Sequence, residues 1–291
     1  MMRLLSKRSP LIQFGKAFVL AIGTLQSLFF VWKEWIGLDV PDISTCTRLW
    51  AILILTIVVF LIDGWFVSGF LKQRIKLSIS EGAVSLTIGF GDLFAMKGLK
   101  VIPVNSFFDS LVNESVVAAS TLHGKMIERF FAGCPGEFDS QISQSLSHQR
   151  VSPVSKCTRI DNKGKTEEYE TGTAAIARTS RGESFLCVAL AKTDSQNNQA
   201  SASLPDVYAS VRGALALARS AGNGQPVVFP LLGTGLSRTG LSPMFLLNLM
   251  IQGVILENRK QKVTNEIRIV LHPSMKENIN LACVENEWRM K

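Results

Sequence analysis

The five cysteines include no C-x-x-C pair, and no histidine stands near them at metal-ligand spacing. A zinc site and a disulfide framework are therefore disfavoured. Cys46, Cys134, Cys157, Cys187 and Cys283 read as buried or incidental thiols of a reducing compartment. Internal repeats and low-complexity segments are also missing. Past residue 76 there is no dense run of Lys and Arg, although the net charge is +8. Residues 1–76 carry nine Lys/Arg against four Asp/Glu, which leaves only +3 for residues 77–291. That remainder is too weakly basic for a general nucleic-acid binder.

What the chain does hold in excess is apolar residues, 47% of the total, and the excess lies near its start. Phe14–Trp32 and Leu49–Leu71 are long apolar runs, the first interrupted by Lys16, Thr24, Gln26 and Ser27. A membrane span needs about 20 mainly apolar residues, because the hydrocarbon core is about 30 Å thick and its backbone groups must bond within the helix. The two runs are expected to form a transmembrane hairpin within residues 1–76. Arg3, Lys7, Arg8 and Lys16 precede the first run or lie at its start, and Lys72, Arg74 and Lys76 follow the second. Lys and Arg stay on the cytoplasmic side, so both termini are expected in the cytoplasm. Trp32, Trp35, Trp50 and Trp65 fall at or near the expected interfaces. Asp63 has two readings. It sits at headgroup level beside the basic stretch, or it faces a helix–helix seam with Gln26 in an oligomer.

From residue 77 the pattern changes to short β-branched runs bounded by glycine and charge, followed by helical segments. Strands are expected at the LSIS, AVSLTIGF and KVIPV runs, at Thr173–Thr179 and Ser184–Ala191, and at the PVVFPLL and EIRIVL runs. Helices are expected at Val116–Phe131, Glu137–Gln149, Asp206–Ser220 and Pro243–Glu257, with the Val151–Glu170 stretch an exposed loop or hairpin. The alternation implies an α/β domain over 77–291, a mixed sheet covered on both faces.

In such sheets a ligand sits beyond the carboxyl ends of the strands. The PVVFPLL strand runs into Gly233, Thr234, Gly235, Leu236, Ser237, Arg238, Thr239 and Gly240. This glycine-rich turn before a helix has a backbone that can approach a phosphate, but its G-x-G-x-x-x-x-G spacing is not the dinucleotide fingerprint, and it lacks the lysine of a P-loop. Gly91–Asp92 ends a second strand, Asn105-Ser106-Phe107-Phe108-Asp109 ends a third, and Ser120–Gly124 forms a further turn. Together they supply the chemistry an adenine diphosphoribose requires. A carboxylate accepts from the adenine amine, aromatics stack on the base, an Asn bonds ribose hydroxyls, and glycine turns hold the diphosphate. Catalysis would need a nucleophile or base with an orienting partner, and His123 near Asp109 is the only pair on offer.

The motifs GDLF, VIPVNSFFD, S-x-x-H-G and FPLLGTGLSR, in that order behind a two-helix hairpin, resemble a macro domain. More narrowly, they resemble the divergent macro domain of the ThsA effectors in type II Thoeris anti-phage defence. The resemblance implies a three-layer α/β/α macro-like fold and an ADP-ribose-derived ligand such as histidine–ADP-ribose, made by a TIR-domain partner, with no separate cofactor. It implies a homo-oligomer in the bacterial inner membrane that disrupts the bilayer. Carried onto this chain, Asp92 is the adenine contact, and Asn105 with Phe107, Phe108 and Asp109 lies near the ribose. Ser120, His123 and Gly124 line the diphosphate together with Gly233, Thr234, Gly235 and Leu236. Arg238, read on its own, either reaches an anionic group of the ligand or is a solvated surface residue. The sequence has Val104-Asn105-Ser106-Phe107-Phe108 where ordinary macro domains carry V-N-A-A-N, which sets the distal ribose geometry apart. The alternative is a membrane-tethered ADP-ribosyl hydrolase or NAD-consuming enzyme.

Overall fold

The structure, a computed structural model, describes residues 10–31, 33, 45–67, 69, 71–79, 82–113, 115–132, 134–159, 163–235 and 238–289. The chain forms two compact units: residues 1–75 with Ser274–Arg289, and Lys76–Pro273.

In the first unit, α1 (Pro10–Val31) and α2 (Thr45–Ile62) pack side by side, and α2 runs on into a π-helical turn, Asp63–Val67. Ala17 and Ala21, one turn apart on α1, are buried, as is Thr56 of α2, and Phe14 meets Phe60 edge-on at 5.7 Å. Small residues let helix backbones approach where no water drives association. The hydroxyls interrupting the apolar runs are satisfied locally: Thr24, Ser27 and Thr56 donate to the carbonyls of Leu20, Gly23 and Ile52 at 2.7–2.9 Å. Of the two expected spans, Leu49–Phe66 forms an 18-residue helical stretch long and apolar enough to cross a membrane, 11% of it buried. The first is shorter, its apolar stretch limited to Ile12–Leu28.

The second unit is built on a mixed sheet. Its elements in chain order are β1 (Arg74–Ile79), β2 (Val84–Phe90), β3 (Leu99–Asn105), α3 (Leu122–Phe130), α4 (Pro135–His148), β4 (Ser155–Lys156), β5 (Glu167–Glu168), β6 (Ala174–Arg178), β7 (Ser184–Thr193), β8 (Ala200–Ser201), α5 (Leu204–Ala221), β9 (Val227–Pro230), α6 (Pro243–Lys260) and β10 (Glu266–Leu271). The chain closes, in the first unit, with a 3-10 turn, Pro273–Glu277, and α7 (Leu281–Trp288). Strand order is β1-β2-β10-β9-β3-β7-β6, with β8 off the path against β7. β2, β10, β9, β3 and β7 run parallel, and β6 is antiparallel to β7. Edge strand β1 alternates exposed and buried residues, whereas nine of the ten residues of β7 are buried. A strand covered on both faces needs apolar side chains on both.

Ile102 and Val104 of β3 and Phe185 and Cys187 of β7 pack under α3 and α4, against Met126, Phe138 and Ile142. Their neighbours Val101, Leu186 and Val188 are buried too and, by alternation, face the layer of α5 and α6. Ser210 of α5 donates to the Ala189 carbonyl of β7 at 3.2 Å there. The domain is thus a macro-like α/β sandwich of helices, sheet and helices.

Helix α3 begins at Leu122, later than the expected 116, because side chains claim the preceding backbone. Asn113 Oδ1 accepts from the N–H of Ser115 and Val116 at 3.0 and 2.7 Å, and Thr121 caps the helix by accepting from Gly124 N–H at 3.0 Å. The Val151–Glu170 stretch is a hairpin through β4 and β5, yet it is not wholly exposed, since Arg159 retains only 2% exposure.

Candidate functional site

Because β2, β10, β9 and β3 are parallel, the segments following them emerge along one rim of the sheet. Asp92 follows β2 and the Gly233–Gly235 turn follows β9, with β10 alone between those strands. At the usual interstrand spacing the two strand ends lie about 10 Å apart. β3 pairs with β9 only at Leu99–Lys100, so the two strands part toward this rim.

Asp92 is exposed and caps a 3-10 turn, Leu93–Ala95, its Oδ1 accepting from Phe94 N–H at 3.0 Å. Gly233 has φ +84, a region that favours glycine, and a Cβ there would press on Val207, Thr239 and Leu246 at 3.1–3.2 Å. Thr234 Oγ1 donates to the Leu231 carbonyl at 3.1 Å, and Thr239 Oγ1 to the Gly233 carbonyl at 2.9 Å. Gly235 is exposed, with open space where its Cβ would be. Arg238 is exposed at φ +49 and donates to Gln199 Oε1 at 2.7 Å. Leu236 and Ser237 lie outside the described residues. Ser120 is exposed in the turn before α3, while His123 and Gly124 are buried in the first turn of that helix.

The segment after β3 is fastened from below by a polar network that the sequence did not reveal. Asp109 is fully buried; its Oδ2 accepts from Asn105 Nδ2 at 2.7 Å and Arg159 Nη1 at 2.8 Å, and its Oδ1 from Lys165 N–H at 2.7 Å. Arg159 also donates through Nε and Nη2 to Asn198 Oδ1 at 2.9 and 2.6 Å, and its guanidinium lies 4.4 Å from the Phe107 ring centre. Lys165 Nζ reaches the Phe108 carbonyl at 2.7 Å. Phe107 and Phe108 are each 1% exposed, and Phe108, at φ +51, meets Tyr169 edge-on. Ser106 donates to Glu168 Oε1 at 3.1 Å. Asn105, the two phenylalanines and Asp109, all expected near a ribose, are therefore buried and engaged within the domain.

His123 lies near Asp109 but meets its backbone, while the Asp109 carboxylate is engaged by Asn105, Arg159 and Lys165. Burial drives the His123 pKa from 6.5 down to about 4, against the opposing pull of the Asp109 charge and a hydrogen bond with the Asp109 backbone. The ring is neutral near pH 7, it stands 6.5 Å from the Phe138 ring, and its Nε2 has no partner among the described residues. Burial also pushes the Cys187 thiol up to about 12, which keeps it protonated.

Fold and rim together define a macro-like domain. The chain belongs to the family described as Thoeris protein ThsA, Macro domain, whose model matches residues 86–272. It is 24% identical over 255 residues to the Thoeris protein ThsA of Bacillus amyloliquefaciens (strain Y2), covering 82% of this chain and 79% of that one. Among solved structures, the Oceanobacillus iheyensis macrodomain with ADP aligns at TM-score 0.49 and 15% identity, over 74% of this chain and 96% of that one. The Trypanosoma brucei macrodomain in complex with ADP-ribose aligns at TM-score 0.44 and 10% identity, over 68% of each.

The residues beyond the reach of sequence reading are Arg159, Lys165, Asn198 and Glu168. Each lies within a polar stretch with no spacing signal; Arg159, Lys165 and Glu168 meet the segment after β3 across 50 to 62 positions, and Asn198 reaches it through Arg159, 39 positions away.

Proposed function

We propose that this protein is a membrane-anchored sensor that binds an ADP-ribose-derived signal at the rim of its macro domain and answers by assembling and disrupting the bilayer. The observation that carries the reading is the delivery of Asp92, the Gly233–Gly235 turn and the segment after β3 to one rim by parallel strands. Asp92 accepts from the adenine amine, the turn and the start of α3 hold the diphosphate, and the backbone of the 105–109 loop meets the ribose. Membership in the ThsA macro-domain family supports a place in Thoeris anti-phage defence, with the signal, such as histidine–ADP-ribose, supplied by a TIR-domain protein. The apolar helices α1 and α2 support an anchor in the bacterial inner membrane, with both termini and the macro domain in the cytoplasm and killing by abortive infection. A buried, neutral His123 supports sensing without turnover.

Gly235→Val tests the reading cleanly, because a Cβ there meets nothing within 4 Å and the fold is undisturbed. Calorimetry of the full-length protein in nanodiscs, with ADP-ribose and its histidine conjugate, should show binding weakened by about ten-fold or more. Chromatography of the same mixtures should recover the ligand intact. Unchanged affinity in the variant would remove the turn from the site, and product formation would move the protein to the hydrolase class.

A further inference from the structure

The segment after β10 leaves the sheet and becomes part of the other unit. β10 ends at Leu271, on the rim, and the 3-10 turn begins at Pro273. Residues Ser274–Arg289 then group with residues 1–75. Within that unit α7 packs against the π-helical turn Asp63–Val67 in which α2 ends. Two contacts help fix it there. Lys72 and Glu285 form an ion pair with side chains 19% and 27% exposed. Gly69 stands at φ +64 so close to the cap of α7 that a Cβ would fall 2.2 Å from Asn280 Oδ1 and 2.9 Å from Ala282 Cβ. Asn280 in turn caps α7, accepting from the N–H of Ala282 and Cys283 at 2.9 and 3.3 Å. Ile279, Leu281, Ala282 and Val284 are buried.

We infer that α7 is a latch. It holds the exit of α2 in its resting arrangement, and it is released by changes at the end of β10, one residue from the start of its own 3-10 turn. This rests on the reading of the rim as the ligand site and of α1–α2 as a membrane anchor. A short covalent link suits the task, because a shift of β10 has almost no slack in which to be absorbed. The clamp is also local, since α7 is a single helix of eight residues held against the π-helical turn.

A charge swap across the pair tests the latch in the full-length protein. Glu285→Lys, Lys72→Glu and the double variant are placed in vesicles of phosphatidylethanolamine and phosphatidylglycerol, with and without ADP-ribose. Dye release and hydrogen exchange of residues 279–288 are followed, and ADP-ribose affinity is measured by calorimetry. Each single variant should release dye without ligand about five-fold faster than the parent, exchange its α7 amides faster, and keep its affinity within about two-fold. The double variant should restore ligand dependence. Single variants that match the unliganded parent in both readouts, or a double variant that stays open, would overturn the latch. A parent that fails to bind ADP-ribose would instead sink the rim reading, and the latch is then decided by the unliganded exchange rates alone.

Discussion

Replacing Arg159 by Met keeps the length of the side chain and removes its charge from a pair in which both side chains are 0% exposed. Breaking a buried pair by removing one partner costs about 3–5 kcal/mol, mostly because the surviving charge is left uncompensated. Asp109 would keep its bonds from Asn105 Nδ2 and Lys165 N–H, which places the cost near the lower end, about 3 kcal/mol. For a domain of this size each kcal/mol moves the melting temperature by about 2–4 °C, so a fall of about 6–12 °C is expected. Thermal unfolding of the full-length protein in detergent, followed by near-UV circular dichroism, reads it directly. Adding Asp109→Asn to the Arg159→Met background removes the orphaned charge and should recover about 1 kcal/mol or more. A melting point within about 2 °C of the parent for Arg159→Met would refute the claim that this pair fastens the loop. Full additivity in the double variant would refute the charge argument behind it.

Stability should fall in acid through His123. Above pH 6.5 the ring is neutral folded or unfolded; from there down to about 4 only the unfolded chain takes up the proton, so stability drops by about 1.4 kcal/mol per pH unit over that window. His123→Gln should flatten that slope in melts taken between those pH values. Asp92→Ala should weaken ADP-ribose binding by about ten-fold or more while barely changing the melting point, since the side chain is exposed and caps only a short turn. A membrane-impermeant maleimide applied to right-side-out vesicles should label Cys46, in the first turn of α2, and spare Cys134 and Cys283, all three exposed; permeabilisation should admit the latter pair but not Cys187. Labelling of Cys134 before permeabilisation would reverse the topology.

The parts of the fold readable in the sequence are those whose signal is local. The β-branched runs of β2, β3 and β10 and the Pro205–Asp206 start of α5 stand where their residue types require. The rim was legible because glycine and carboxylate residues follow strands directly. The fastening beneath it was not, since Asp109 and Arg159 lie 50 positions apart and an arginine in a polar hairpin normally points to water. The resemblance placed Asp109 near the ribose, whereas its oxygens are engaged inside the domain. Helix α7 escaped for a related reason: its buried face is short, and its contacts lie some two hundred residues earlier in the chain.

The strand order has a consequence for how this molecule is made. β10 comes last in chain order among the described strands, yet it sits inside the sheet, with β2 on one side and β9 on the other. Until residues 266–271 are in place, β2 and β9, which carry Asp92 and the Gly233–Gly235 turn, share no ladder among the described strands. Insertion of that one six-residue strand therefore completes the sheet between β2 and β9 and sets the two rim segments side by side.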